Sequence, residues 1–158
     1  MKIFLATVFI SVLFWVYGNY TEQSVMYSPI AGTINKVEAR EVDPAKMKIQ
    51  IISEELYEKY KTNYPVIYAI VSAYGPTEGV RAVHVAFCES SHDPGKTNAS
   101  GSSAKGLFQI IDGTWIGYHC SGSPLNAADN IACSYKLYQA DGWDSTATWS
   151  SSKGCWSK

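Results

Sequence analysis

All four cysteines of the chain, Cys88, Cys120, Cys133 and Cys155, fall in its second half. That placement limits the fold more than any other feature, because cross-links among these positions hold a short stretch of chain around a modest core. Two disulfides, with three pairings open, compete with a zinc site. Zinc has some support: Cys88 precedes His92 by four positions, and His119 adjoins Cys120. The paired short spacings of structural zinc are absent, however, and disulfides are the expected state.

The beginning of the chain bears on the compartment. Lys2 is followed by an apolar run from Ile3 through Tyr17, the pattern of an export signal. As a helix, residues 3–18 would reach roughly 24 Å, short of the roughly 30 Å hydrocarbon core of a bilayer. Residues 1–20 therefore read either as a signal peptide, with Val16 and Gly18 as small residues before a cut, or as a retained membrane anchor. A buried core helix is the third reading. Export places the cysteines in an oxidising compartment. The expected location is extracytoplasmic, secreted or anchored to the membrane by residues 3–18.

A length of 158 residues, 46% hydrophobic and 17% charged, suits one domain with a real core plus appendages. The formal net charge of -1 leaves no basic footprint for neutralising phosphates, so nucleic acid is not expected as a partner.

From Asn19 to about Ile52 the chain is polar, mixed in charge and broken by Pro29, Gly32 and Pro44, which reads as a stalk or linker over 21–52. Short strands at 33–37 and 48–52 are the other reading of that stretch. Ser53 is then expected to cap a charged helix, 54–61. Pro65 suits the first turn of an apolar helix that Gly75 and Pro76 end. Thr77 is expected to cap the next helix, in which Val80, Val83 and Phe87 share a face and which runs into Glu89. The stretch 90–105 is rich in turn formers and reads as a surface loop. Asp112 is expected to cap a short helix through Trp115. Asn126, with Asp129 in capping-box position, opens a longer helix closed by Gly142. The fold class is thus mainly α, with residues 53–158 forming a domain of short helices and long loops.

Glu89 carries the chemistry. It sits at the C-terminal end of an apolar helix, next to Cys88 and an irregular loop. Most glutamates in such places are surface residues. One that is desolvated has its charged form disfavoured, stays protonated nearer neutral pH and is able to donate a proton to a leaving-group oxygen.

Several motifs stand in order around Glu89. They are Cys88-Glu89-Ser90-Ser91-His92-Asp93-Pro94, then Ser103-Ala104-Lys105, Gly106-Leu107-Phe108-Gln109-Ile110 and Thr114-Trp115. Together they resemble the soluble lytic transglycosylase and goose-type lysozyme family over 64–158. Asn130-Ile131 and Tyr135 resemble the family's third motif. Gly142-Trp143 and Cys155-Trp156 resemble its small secreted, disulfide-containing members.

The resemblance implies a lysozyme-like domain that cleaves the MurNAc–GlcNAc bond of peptidoglycan, with Glu89 as catalytic acid. Ser90, Gly106, Leu107, Phe108, Gln109, Tyr135 and Trp149 are implied as substrate-binding residues, although the family's Ala-Tyr-Asn motif is absent near Trp149. The implied disulfides are Cys88 with Cys155 and Cys120 with Cys133. In this pattern a single Glu protonates the glycosidic oxygen and then takes the proton of the sugar's own C6 hydroxyl, leaving a 1,6-anhydro-muramyl end. A hydrolysing muramidase would use a second acid. Asp93, Asp112, Asp141 and Asp144 are available, none in a familiar spacing, so the transglycosylase is preferred. A non-catalytic peptidoglycan-binding module is the remaining alternative. Peptidoglycan strands are the expected partner, and the near-neutral charge does little to steer the chain toward that anionic polymer. No cofactor or metal is expected, a monomer is expected, and His84, His92 and His119 are expected on surfaces or at helix ends.

Overall fold

The computed structural model describes residues 43–145 and 148–158, which belong to one compact unit, Arg40–Lys158. The predicted signal or anchor and most of the predicted stalk lie outside the described residues. Among the described residues no helix is long and apolar enough to cross a membrane. The unit is mainly α, as expected, and the two strands proposed at its N-terminal side do not bear on it: residues 48–52 are helical, and 33–37 lie outside the described residues.

Helix α1 spans Pro44–Tyr60. It starts earlier than expected because Asp43 caps it, accepting from the Ala45 N–H at 2.9 Å, with Pro44 pre-set for the first turn. Ser53 is therefore not a cap. It is fully buried inside the helix, and its hydroxyl donates to the Ile49 carbonyl at 2.7 Å, a local bond that satisfies a mid-helix serine. Lys61, in the left-handed region at φ 52°, stops the helix by donating to Tyr57 O.

Helix α2, Tyr64–Ser90, is the spine of the unit, with α1 packed along it. Asn63 caps it through the Val66 N–H. The predicted break is present. Gly75 is non-helical at φ 77° and ψ 170°, a conformation that excludes most side chains, and the chain resumes as helix at Pro76. Gly75 with Pro76 thus takes the role assigned to Thr77, which lies within the helix.

Helix α3 spans Asp112–Gly117, with Ile111 at its cap position. Asp112 is its first residue and pairs instead with Lys105 Nζ at 2.7 Å, so its predicted capping role is corrected. Helix α4, Ala127–Asp141, opens with Asn126 accepting from the Asp129 N–H at 3.1 Å and closes at Gly142, as the sequence predicts. Only half of the capping box forms, because the Asp129 carboxylate accepts from Ser123 N. A 3-10 turn, Ser150–Ser152, leads into the one-turn helix α5, Lys153–Trp156. Residues 91–111 form no strand, only isolated bridges of Lys105 with Thr97 and Ile110.

The core lies between α2, α4 and the C-terminal segment. Tyr74, at the kink, is its hub: its ring stacks on Trp143 and Phe108 and meets Tyr135 edge-on, and its hydroxyl donates to Ser134 Oγ at 2.9 Å. Trp149 and Trp156 complete the cluster around Trp143. Both disulfides are present, Cys88–Cys155 and Cys120–Cys133, and no described cysteine remains free, which removes the zinc alternative.

Candidate functional site

Glu89 projects from the last turn of α2 into a cleft of about 360 Å³. Loop residues Asn98, Ala104, Gln109, Ile110 and Ile111 form one side, Thr114 adds the start of α3, and Thr148, Trp149 and Ser151 form the C-terminal wall. Among the described residues Glu89 is the one ionisable group lining it. Burial pushes the Glu89 carboxyl above its ordinary range, and a hydrogen bond with the Ser152 side chain works against that shift. Among the described residues no neighbouring charge contributes. The carboxyl is therefore held by desolvation toward its protonated form.

The C-terminal wall is fixed to the helix that bears Glu89. Cys88 bonds to Cys155, the Trp149 indole donates to Phe108 O at 2.9 Å, and the Trp156 indole donates to both Trp149 O and Ser152 Oγ.

The Gly106–Gln109 turn is held from the other side by Asn130. Its Oδ1 accepts from Phe108 N at 3.0 Å, and its Nδ2 donates to Lys105 O and Pro124 O. Gly106, at φ 75°, passes so close that a Cβ there would lie 2.1 Å from Pro124 O and 2.4 Å from Asn130 Nδ2.

The structure gathers Glu89, Phe108, Gln109 and Trp149 around one cleft. Ser90, Gly106, Leu107 and Tyr135, also expected to bind substrate, are not among the residues lining it. Ser90 is buried and donates to Ala86 O and Leu107 O, which clips the turn to α2. Gly106 is the close-packed backbone position, and Leu107 is wholly buried in the core. Tyr135 packs against Tyr74 and Tyr138. Phe108 and Trp149 serve both core and cleft, being buried while bordering the cavity. Gln109 points its amide nitrogen back to Gly106 O and Lys96 O, holding its loop at a left-handed φ of 47°.

None of the four aspartates weighed as a second acid lines the cleft. Asp93 caps the turn at Gly95, Asp112 pairs with Lys105, Asp141 accepts from the Tyr118 hydroxyl, and Asp144 pairs with Lys153.

His92 lies at a helix end, directly after the Ser91 cap of α2, but not on the surface. It is almost fully buried between Tyr60 and Phe87, with Nε2 on Val83 O at 2.9 Å and Nδ1 on the Thr62 hydroxyl at 2.6 Å. Burial lowers its pKa and keeps it neutral. Thr114, quoted above only as part of a motif, lines the cleft as well, and Thr148 and Ser151 there were not singled out from the sequence. For Ser151, the tethering of Cys155 to the neighbour of Glu89 was the available signal.

No protein-family model matches the chain, and no curated protein or solved structure is found to be similar to it.

Proposed function

We infer that this chain cleaves the MurNAc–GlcNAc bond of peptidoglycan outside the cytoplasm, as a lytic transglycosylase in which Glu89 is first acid and then base. The observation that carries the reading is a desolvated carboxyl standing without a second carboxylate among the described lining of its cleft. In this scheme the Glu89 proton passes to the glycosidic oxygen as the C1–O bond breaks. The resulting carboxylate takes the proton of the C6 hydroxyl as O6 bonds to C1, so no water is consumed. Amides and hydroxyls at Asn98, Gln109, Thr114 and Thr148 suit the N-acetyl and hydroxyl groups of a glycan, and Ile110 and Ile111 offer apolar surface for sugar faces. The paired cysteines and the apolar N-terminal run support an extracytoplasmic location.

Hydrolysis of the same bond would call for a carboxylate that activates water, roughly 5–10 Å from the acid. The engagement of Asp93, Asp112, Asp141 and Asp144 elsewhere favours the transglycosylase.

Release of soluble fragments from purified sacculi tests the proposal. The wild-type chain is expected to solubilise them and E89Q to bind them without cleavage. Binding without cleavage by both proteins would instead make this a glycan-binding module.

A further inference from the structure

A second cavity, of about 400 Å³, is lined by the part of α2 that follows the kink and by the C-terminal segment. It shares no lining residue with the Glu89 cleft. Its volume is within the range of small-ligand sites, roughly 300–1,000 Å³. Val80 and the buried Trp156 give it an apolar lining, so the charges around them decide what it takes. Arg81, Lys153 and Lys158 face Glu78 and Asp144 there, three cations against two carboxylates. Both carboxylates already have donors: Glu78 Oε2 accepts from the Trp143 indole at 2.8 Å, and Asp144 pairs with Lys153 Nζ at 3.0 Å. His84 adds no charge near neutral pH, because burial, with Lys59 beside it, holds its pKa below the ordinary value. Arg81 and Lys158 have no carboxylate within ion-pair distance among the described residues. The group this cavity lacks is therefore a carboxylate, which a planar guanidinium takes through both oxygens.

We propose that this cavity binds the carboxylates of the short peptides carried by the muramyl sugars of peptidoglycan, with Arg81 as the bidentate contact and Lys158 as the second. The choice of peptide rests on the reading of the Glu89 cleft as a peptidoglycan site; the preference for carboxylate does not. Arg81 precedes Glu89 by eight residues on one unbroken stretch of α2. That is about 12 Å along the helix axis. A peptide of four residues extends about 13 Å, so a peptide hanging from a strand held at Glu89 is long enough to cover that distance. The C-terminal segment serves both sites: Trp149 and Ser151 line the cleft, Lys153 and Trp156 line the cavity, and the Cys88–Cys155 bond fixes the segment to α2.

Isothermal titration of the disulfide-bonded full chain with the free peptide L-alanyl-γ-D-glutamyl-L-lysine tests this, beside the same peptide with both carboxylates amidated. The acidic peptide is expected to bind and the amidated one to bind far more weakly. R81A and R81Q each weaken binding of the acidic peptide roughly tenfold or more, and K158A weakens it less. Arg81 is exposed, so both substitutions keep the fold, which near-ultraviolet dichroism checks. An acidic peptide that binds no more tightly than its amidated form, or that binds R81A and R81Q as tightly as wild type, overturns the proposal whether or not the chain cleaves glycan. Binding that depends on Arg81 in a chain that cleaves no glycan upholds the cavity and defeats the transglycosylase reading alone.

Discussion

Cys88 and Cys155 are bonded across 67 positions of sequence, and Cys88 immediately precedes Glu89. The C-terminal segment is therefore covalently attached at the point where the carboxyl leaves its helix, and its Trp149 and Ser151 form a wall of the cleft. Cys120–Cys133, with a separation of 13, closes a much smaller loop between α3 and α4.

Removing the long-range bond should cost more than removing the short one. Loop-closure entropy gives about 4 kcal/mol for C88A/C155A and about 3 kcal/mol for C120A/C133A. Urea denaturation measures both. Only the former is expected to lower activity by tenfold or more in protein that remains folded, because it releases the wall beside Glu89.

Asn130 should be among the least replaceable polar residues of the unit. N130A leaves the buried Phe108 N–H without its acceptor, takes the side-chain donor from Pro124 O and leaves Lys105 O with the Ile110 N–H alone, at a cost of roughly 2–4 kcal/mol. N130D should be at least as harmful, since a carboxylate cannot donate to Lys105 O or Pro124 O. Thermal denaturation of the two variants checks the order.

At Gly106 the geometry leaves no room for a methyl group and the backbone is left-handed. G106A is expected to destabilise by about 2–4 kcal/mol and to displace the Gln109 side of the cleft. Equal stability of G106A and wild type by the same measurement would contradict the close approach to Pro124.

Acidification should act on His92. A neutral, buried histidine whose pKa is depressed binds its proton less readily in the folded chain than in the unfolded one. Its stabilising contribution is present above about pH 6.5 and is lost as the pH falls toward the lower folded-state value. Melting temperatures from pH 7 to 5 should therefore decline for wild type. H92Q, though less stable at pH 7, should decline less steeply.

Glu89 has the opposite sign. Burial raises its folded-state pKa, so its contribution is fully present below the ordinary value of 4.5 and is lost as the pH rises through the folded-state value. E89Q is accordingly expected to be more stable than wild type at neutral pH and to match it below about pH 4.5. Comparing the two melting curves across that range checks it.

The legible parts of this molecule were those with local chemical signatures. Gly75-Pro76 announces a break, Asn126 a cap and Gly142 a stop, and each is found in place. The start of α1 was hidden because 46–52 alternates lysine or glutamine with apolar residues, a pattern that mimics a strand. The alternation is not what decides the conformation: Ile49 and Ile52 pack against the core while Met47 and Ile51 remain exposed. Asp43-Pro44, a cap followed by a first-turn proline, was the overlooked signal. At the site, Glu89 was legible from its place after an apolar face. That Ser90, Leu107 and Tyr135 would face away from the cleft lining was not, because which way a side chain packs depends on tertiary contacts. Ser151 was hidden in a serine run whose position is set by a long-range disulfide.

The central claim is that Glu89 alone performs both proton transfers, and mass spectrometry of the ends it leaves tests it most directly. Purified peptidoglycan incubated with the disulfide-bonded chain should yield 1,6-anhydro-muramyl ends, absent with E89Q. Reducing muramyl ends, or products formed equally well by E89Q, would contradict it.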